Sequence, residues 1–338
     1  MKIGIFELED WEREVLESLE DDHDVVLTDQ PLNQETAEEH SDLEIISTFI
    51  YSDLDKQVLE TFDQLKLIAT RSVGYDHIDL DWCSENDVSV CNVPNYGQNT
   101  VAEHVFGLIL TISHNLYEAI DRTRKGDFSF KGLQGFDLAG QTLGVIGTGD
   151  IGQAVIRVAR GFQMDVVAFD KVHNDQAADE LGFQYVEMDD LLAESDIITL
   201  HVPGTEKTRH LISHDQFEKM KDGVVIINTS RGQVLDVEAL TAALSEGKVS
   251  AAGLDVLPEE PVLREETELL RSVYQKKSNR ENLLADHILI RLRNVYITPH
   301  SAFNTRQAVH RILDTTRENI LKFADGHGQN LVSEDSED

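Results

Sequence analysis

The chain has 338 residues, of which 41% are hydrophobic and 27% charged, with 21 glycines and 6 prolines. This composition is typical of a globular protein with about two domains and excludes a disordered or collagen-like chain. The 63 Asp and Glu residues exceed the 29 Lys and Arg residues, which gives a formal net charge of −34, and a surface of that sign repels nucleic acids and anionic membranes.

The first ninety residues alternate short apolar runs with amphipathic stretches. Five runs have the length of strands: Lys2–Phe6, Val25–Thr28, Glu44–Phe49, Lys66–Thr70 and Val88–Val93. Strands that alternate with helical patterns predict a parallel sheet covered by helices. The following segment, Thr100–Arg124, carries apolar residues at helical spacing and predicts one long helix.

A second series of strands and helices begins near Gln141. Its predicted strands are Thr142–Ile146, Asp165–Phe169, Asp196–His201, Val224–Asn228, Ser250–Asp255 and Val295–Thr298. The polar, highly charged segment 262–293 interrupts the series, and Arg306–Ala324 predicts a final helix. The fold class that follows is α/β, with two doubly wound parallel-sheet domains and a ligand cleft between them.

A glycine-rich turn follows the first strand of the second series. Residues 147–152 read GTGDIG, which fits G-x-G-x-x-G between a strand and a helix. Such a turn bends tightly at its first glycine, admits a pyrophosphate at its second and packs helix on strand at its third. Asp170 ends the next strand, where a carboxylate binds ribose hydroxyls and favours NAD over NADP. The alternative is a turn that only packs a helix on a sheet.

Three polar residues follow other strands of this series: Arg231, Glu260 and His300. Ligands bind beyond the carboxyl ends of the strands in an open parallel sheet, so these side chains are predicted to converge. An arginine fork suits a carboxylate and an adjacent carbonyl oxygen. A charged histidine gives a proton to that carbonyl oxygen as a hydride reaches the carbon, and a nearby carboxylate stabilises the charged ring. The trio therefore predicts reduction of a 2-oxo acid.

The segments GTGDIGQ, LHVPGT, INTSRG, GLDVLPEEP and ITPHSAF, in this order, resemble the D-isomer-specific 2-hydroxyacid dehydrogenases over nearly the whole chain. The run FDLAGQTLGVIGTGDIGQ is most similar to the D-lactate dehydrogenase branch. The resemblance implies an NAD-dependent enzyme that interconverts a small 2-oxo acid, such as pyruvate, and its D-2-hydroxy acid. It implies a flavodoxin-like substrate domain (1–99 and 303–330), a Rossmann NAD domain (100–302) and an acidic tail (331–338).

The resemblance also implies roles for individual residues. Arg231 would bind the substrate carboxylate, His300 would be the acid and base, and Glu260 its partner. The backbone N–H groups of Val73 and Gly74 would bind the substrate, and Tyr96 would line the same cleft. Cofactor contacts are implied at Gly147, Gly149, Asp150, Ile151, Gly152, Asp170, Val202, Pro203, Thr229, Asp255, His300 and Ala302, and no metal site is expected.

Several alternatives stay open. Phe303-Asn304 stands where the D-lactate branch often has Phe-Tyr, so a glyoxylate, hydroxypyruvate or larger 2-oxo acid reductase is an alternative. An NAD-sensing, corepressor-like binding protein is the alternative from another class. Because family members are commonly homodimers, we expect a homodimer, located in a reducing cytoplasm where Cys83 and Cys91 stay thiols. The acidity is either an adaptation to concentrated salt or ordinary solubility.

Overall fold

The computed structural model describes residues 1–258 and 288–332. The chain divides into two compact units, one made of Met1–Gly97 with Asn304–Asp338 and the other of Gln98–Phe303. Glu260, most of the charged segment 262–293 and most of the predicted tail lie outside the described residues. None of the described helices combines the length and the apolar character needed to span a membrane.

The first unit contains a parallel sheet of five strands within the described part of the chain. They are β1 (Lys2–Ile5), β2 (Asp24–Leu27), β3 (Ile45–Thr48), β4 (Leu67–Thr70) and β5 (Ser89–Cys91). Their order is β2-β1-β3-β4-β5, the flavodoxin-like order. Both β3 and β4 are buried along their whole length, as expected for central strands covered on both faces. The first helices of this unit are α1 (Arg13–Leu16), α2 (Gln34–Glu39), α3 (Lys56–Leu59) and α4 (Leu80–Glu85).

The second unit contains a parallel sheet of seven described strands. They are β6 (Thr142–Ile146), β7 (Asp165–Phe169), β8 (Gln184–Tyr185), β9 (Ile197–Leu200), β10 (Val224–Asn228), β11 (Val249–Leu254) and β12 (Val295–Ile297). Their order is β12-β11-β10-β9-β6-β7-β8, so the winding reverses beside β6, as in a Rossmann fold. In such a sheet, ligands bind at the carboxyl ends of the strands near this reversal.

Helices cover both faces of the second sheet. They are α5 (Gln98–Ser113), α6 (Leu116–Arg124), α7 (Asp150–Gly161), α8 (Asp175–Leu181), α9 (Met188–Glu194), α10 (His214–Lys219) and α11 (Val237–Glu246). One apolar cluster joins the sheet to α5 and α7, and a second joins it to α9, α10 and α11. The last helix, α12 (Arg306–Ala324), belongs to the first unit and packs against β4 and α1.

The predicted α/β fold class is confirmed, and each predicted strand occurs within about two residues of its expected ends. The prediction of one long helix over Thr100–Arg124 is wrong, because the chain forms α5 and α6 with a break at Asn115. This residue has a φ of 51°, and its side-chain amide donates to the carbonyl oxygens of Leu133 and Gln134. Asparagine tolerates the left-handed region, and apolar spacing does not reveal such a break.

Candidate active site

The glycine-rich turn after β6 has the shape that a pyrophosphate requires. Gly147 has a φ of 95°, and a Cβ there would lie 2.5 Å from the carbonyl oxygen of His201. A Cβ on Gly152 would lie 2.1 Å from the carbonyl oxygen of Gly147, so α7 packs closely on the turn. A Cβ on Gly149 would meet none of the described atoms within 4 Å. Open space therefore lies before the N-terminus of α7, where N–H groups bind phosphate. Asp150 and Ile151 begin this helix.

Asp170 lies immediately after β7, beside this turn. Its Oδ2 accepts hydrogen bonds from the backbone nitrogen of Thr148 at 2.6 Å and from the Thr148 hydroxyl at 2.9 Å. Burial raises the pKa of the Asp170 carboxyl, but the hydrogen bonds from Thr148 and Val172 outweigh burial and hold this pKa below its ordinary value. The group is therefore a carboxylate at neutral pH, which suits ribose hydroxyls and repels a 2′-phosphate.

The loop after β9 lies beside the glycine turn, because β9 pairs with β6. It contains Val202 and Pro203, two of the predicted cofactor residues, directly after His201. The Nε2 atom of His201 lies 2.9 Å from the Thr199 hydroxyl, and burial lowers the pKa of this imidazole to about 3. His201 is therefore neutral at physiological pH.

Arg231 follows β10 in a loop built around the side chain of Asn228, which is 1% exposed. The Asn228 amide donates to the carbonyl oxygen of Arg231 at 3.0 Å, and its Oδ1 accepts from the backbone nitrogen of Ser230 at 3.0 Å. The Arg231 Nη1 donates to the Ser230 carbonyl oxygen at 2.9 Å. The hydroxyl of Thr229 is buried and has no partner among the described residues, so it retains hydrogen-bonding capacity for a bound cofactor.

His300 stands in a loop after β12 that the carboxylate of Asp255 organises. Asp255 is 1% exposed, and its Oδ1 accepts from the Thr298 hydroxyl and, at 2.9 Å, from the backbone nitrogen of Ser301. Its Oδ2 accepts from the backbone nitrogen of Ala302 at 2.9 Å. The carboxylate thus holds the loop on both sides of His300, through Thr298 before it and through Ser301 and Ala302 after it.

His104 of α5 supports the same carboxylate. Its Nε2 lies 3.0 Å from the Thr298 hydroxyl and 3.4 Å from Oδ1 of Asp255. Burial raises the pKa of Asp255, but hydrogen bonds from His104, Thr298 and the loop nitrogens outweigh it and hold this pKa below its ordinary value. Sequence reasoning missed His104, because no pattern relates a helix residue to a carboxylate more than a hundred residues away.

Backbone hydrogen bonds join the ends of three adjacent strands. The nitrogen of Asp255 donates to the carbonyl oxygen of Asn228, and the nitrogen of His300 donates to the carbonyl oxygen of Asp255, each at 2.9 Å. The loops that carry Arg231 and His300 therefore lie at the same edge of the second sheet. Glu260 lies outside the described residues.

The predicted substrate loop of the first unit follows β4. The carbonyl oxygen of Ser72 accepts from the nitrogen of Val93 at 3.0 Å, that of Val73 accepts from the Asn92 amide at 2.8 Å, and that of Gly74 accepts from the Ser72 hydroxyl. No hydrogen bond from the N–H groups of Val73 and Gly74 occurs within the described residues. The loop is therefore fixed through its carbonyl groups and keeps two N–H donors for an anion.

Tyr96 also belongs to the first unit, after β5. Tyr96 is half-buried, and its carbonyl oxygen accepts a hydrogen bond from Nε of Arg311 in α12. Arg311 of the last helix thus fixes the backbone at Tyr96, and the sequence around Tyr96 does not indicate this contact.

Comparison with known proteins gives a consistent result. Residues 106–302 match the family model described as the NAD-binding domain of D-isomer specific 2-hydroxyacid dehydrogenase. The chain is 39% identical to a 2-hydroxyacid dehydrogenase homolog of Haemophilus influenzae (96% of this chain, 97% of the relative). It is 36% identical to the D-lactate dehydrogenase of Escherichia coli (96% and 98%). Glyoxylate reductases also occur among the relatives. The structure of D-lactate dehydrogenase from Aquifex aeolicus, complexed with NAD and lactic acid, superposes with a TM-score of 0.86 at 36% identity over 96% of each chain.

Proposed function

The chain belongs to the D-isomer specific 2-hydroxyacid dehydrogenase family and is an NAD-dependent oxidoreductase that acts on the CH–OH group of D-2-hydroxy acids; from this premise we propose that its substrate pair is pyruvate and D-lactate. The observation that carries the proposal is the common edge of the second sheet, where the glycine turn, the Arg231 loop and the His300 loop follow the carboxyl ends of β6, β10 and β12. Similarity to D-lactate dehydrogenases over 96% of the chain supports the choice of pyruvate.

In the proposed reaction, bound NADH supplies a hydride to the carbonyl carbon. The guanidinium of Arg231 holds the substrate carboxylate and the neighbouring carbonyl oxygen by charge-assisted hydrogen bonds. The imidazolium of His300 gives its proton to that carbonyl oxygen, so that the ketone becomes a secondary alcohol; in the reverse direction the neutral imidazole removes the hydroxyl proton. We propose Glu260 as the carboxylate that stabilises the imidazolium.

For the cofactor, we propose that Gly147, Gly149 and Gly152 shape the phosphate turn, with Asp150 and Ile151 at the helix N-terminus. Asp170 binds the adenosine ribose. Further contacts come from residues at the ends of the neighbouring strands: Val202, Pro203, Thr229, Asp255, His300 and Ala302. The open space at Gly149 and the spare hydrogen-bonding capacity of the Thr229 hydroxyl support this assignment.

For the division of the chain, we propose residues 1–99 and 303–330 as the substrate domain, residues 100–302 as the NAD domain and residues 331–338 as an acidic tail.

In the substrate domain, we propose that the N–H groups of Val73 and Gly74 bind the substrate and that Tyr96 lines the substrate site. The hydrogen bonds that fix the carbonyl groups of Val73 and Gly74 support this assignment. Replacing a backbone donor is impractical, so the test is Asn92→Ala, which releases the Val73 carbonyl and is expected to raise the KM for the 2-oxo acid without changing the Kd for NADH. An unchanged KM contradicts this assignment.

A steady-state comparison of 2-oxo acids tests the proposed substrate. Pyruvate, glyoxylate, hydroxypyruvate, phenylpyruvate and 2-oxoisocaproate are each reduced with NADH and with NADPH, and kcat/KM is measured. We expect the highest value with pyruvate and NADH. A higher value with glyoxylate, hydroxypyruvate or a larger 2-oxo acid supports the alternative reductase and contradicts the pyruvate assignment. NADH binding without turnover of any 2-oxo acid supports the corepressor-like alternative.

We propose further that the protein is a homodimer formed through α6 and the segment after it. This region exposes apolar side chains, with Phe128 81% and Phe130 87% accessible, next to the exposed Tyr117 and Ile120 of α6. Residues 116–136 contain four Lys or Arg and three Asp or Glu, whereas the whole chain carries a net charge of −34. A second copy of this acidic chain meets least repulsion at such a surface, and burial of its aromatic rings stabilises the contact.

Molecular mass in solution tests the dimer. The wild-type chain is expected to sediment at twice its monomer mass, and Phe128→Asp combined with Phe130→Asp is expected to sediment as a monomer. Tyr51→Asp changes an exposed ring of the first unit and serves as the control, which stays dimeric. A wild-type monomer, or a dimeric double variant, contradicts the proposed interface.

We also propose a cytoplasmic location. Cys83 and Cys91 are free and buried, and burial raises the pKa of both thiols to about 12. Neither thiol is therefore a reactive thiolate at neutral pH, which is consistent with a chain that is kept reduced. Recovery of the protein in the cytoplasmic fraction of the native cells is the expected result, and recovery in an exported fraction contradicts it.

A further inference from the structure

We propose that Gly204 is a positioning residue for Arg231, because its missing side chain provides the space in which the first carbons of the Arg231 side chain lie. Gly204 stands in the loop after β9, and Arg231 stands in the loop after β10. The two strands are neighbours in the second sheet. The inference rests on the proposed role of Arg231 in substrate binding and adds a second residue to it.

The contact is close at the base of the arginine side chain. A Cβ on Gly204 would lie 2.7 Å from Cγ and 3.0 Å from Cβ of Arg231, and 2.7 Å from Nε2 of Gln233. Gly204 does not have a positive φ, so an alanine would meet no backbone strain there. The demand for glycine therefore comes from the neighbouring side chains and not from the local backbone. The Gln233 amide is the far end of a flexible side chain and can move. The Cβ of Arg231 is fixed by its backbone, and its Cγ moves only when the side chain rotates about the Cα–Cβ bond.

The loop that carries Gly204 is held in place from one side. The hydroxyl of Thr208, a buried residue, donates to the carbonyl oxygen of Pro203 at 2.6 Å and accepts from the backbone nitrogen of Thr205 at 2.9 Å. These two groups flank Gly204 directly in the chain. A larger residue at 204 therefore cannot move away from Arg231 without breaking these two hydrogen bonds.

The backbone of Arg231 is held from the other side. Its carbonyl oxygen accepts from the buried Asn228 amide at 3.0 Å and from the nitrogen of Val234 at 3.2 Å. A Cβ on Gly232 would lie 2.2 Å from the carbonyl carbon of Leu257, so the next residue already touches the backbone of another loop. Because both backbones are fixed, an added methyl group at 204 must be accommodated by rotation of the Arg231 side chain, which moves its guanidinium.

The test compares Gly204→Ala with Gly161→Ala. Gly161 is exposed at the end of α7, and a Cβ there meets none of the described atoms within 4 Å. Gly204→Ala is expected to lower kcat/KM for pyruvate by about 10-fold to 100-fold, as misplacement of a positioning group by about 1 Å does. It is also expected to raise the Kd for oxamate, an unreactive 2-oxo acid analogue, in the complex with NADH. The Kd for NADH is expected to stay unchanged, and Gly161→Ala is expected to behave as wild type. Unchanged kinetics and oxamate affinity in Gly204→Ala overturn the proposal.

A double-mutant cycle with Arg231→Ala separates positioning from a general structural effect. Without Cγ at 231, the substitution Gly204→Ala is expected to change neither kcat/KM nor the oxamate Kd any further, since residues in contact are not additive. The same fold-loss in both backgrounds overturns the proposal. If Arg231→Ala alone retains full activity and oxamate affinity, the proposed function of Arg231 fails. If Arg231→Ala loses them and Gly204→Ala does not, only the role of Gly204 fails.

Discussion

The peptide nitrogen of His300 donates a hydrogen bond to the carbonyl oxygen of Asp255 at 2.9 Å, and His300 holds a φ of 51° in this position. The left-handed region is uncommon for a residue other than glycine and persists where surrounding contacts hold it. Here the Asp255 carboxylate provides those contacts through Ser301 and Ala302. The orientation of the proposed acid and base therefore depends on a buried carboxylate one strand away.

Asp255→Asn is expected to lower both stability and activity. The amide of asparagine places a donor against one of the loop nitrogens, so at least one charge-assisted hydrogen bond is lost and a donor is left unsatisfied, at a cost of about 3 kcal/mol. Urea unfolding measures the stability, and kcat/KM measures the displacement of His300. Asp179→Asn, an exposed change on α8, is the control. Wild-type kcat/KM in Asp255→Asn would show that this carboxylate does not position His300.

Glu260→Gln is expected to move the pH optimum of 2-oxo acid reduction downward without abolishing the reaction. Glutamine has no charge, so it no longer stabilises the imidazolium form of His300, and a lower pH is needed to keep the proton donor charged. The pH dependence of kcat/KM measures the shift. His300→Ala is the comparison, with a loss of kcat/KM of about 10²-fold to 10⁴-fold and a much smaller change in the Kd for NADH. An unchanged pH profile in Glu260→Gln would show that Glu260 is not the carboxylate partner of His300.

Asp170→Ser is expected to raise kcat/KM with NADPH relative to NADH by about tenfold or more, because a like charge next to the 2′-phosphate is removed. The ratio of the two kcat/KM values measures selectivity. Asp175→Ser removes an exposed carboxylate five positions further along the chain and should leave the ratio unchanged. Equal efficiency of both cofactors in the wild-type enzyme would contradict the role of Asp170.

His201 is expected to make stability depend on pH. Its pKa is about 3 in the folded chain against an ordinary value of 6.5, so between these values the unfolded chain binds more protons at this site than the folded chain. Stability then rises with pH across this window, by at most about 1.4 kcal/mol per pH unit, and is lost as pH falls. His201→Gln should make the free energy of unfolding fall less steeply toward acid than it does in wild type. His214→Gln, an exposed control, should leave the slope unchanged; an unchanged slope in His201→Gln refutes the assignment.

The net charge of −34 predicts that salt stabilises the fold. The Debye length shrinks to about 3 Å at 1 M salt, and the repulsion among carboxylates on the surface is then screened. The urea midpoint is expected to rise from low salt to about 1 M sodium chloride. A midpoint that does not rise favours ordinary acidic solubility over salt adaptation.

The sequence by itself determined the order of strands and helices. A parallel strand that is buried on both faces is a short, continuous apolar run, which can be recognised along the chain. The sequence also determined the glycine turn, since Gly147, Gly149 and Gly152 are each required at a stated spacing, and the position of Asp170 after the next strand. Only the tertiary structure decided the contacts of His104 with Asp255 and of Gly204 with Arg231. It also decided the helix break at Asn115, whose side chain binds the carbonyl groups of Leu133 and Gln134. These contacts depend on which loops meet at one edge of the sheet and on how much space remains between them. Neither the spacing of residues along the chain nor the composition shows how close two distant residues lie in the folded protein.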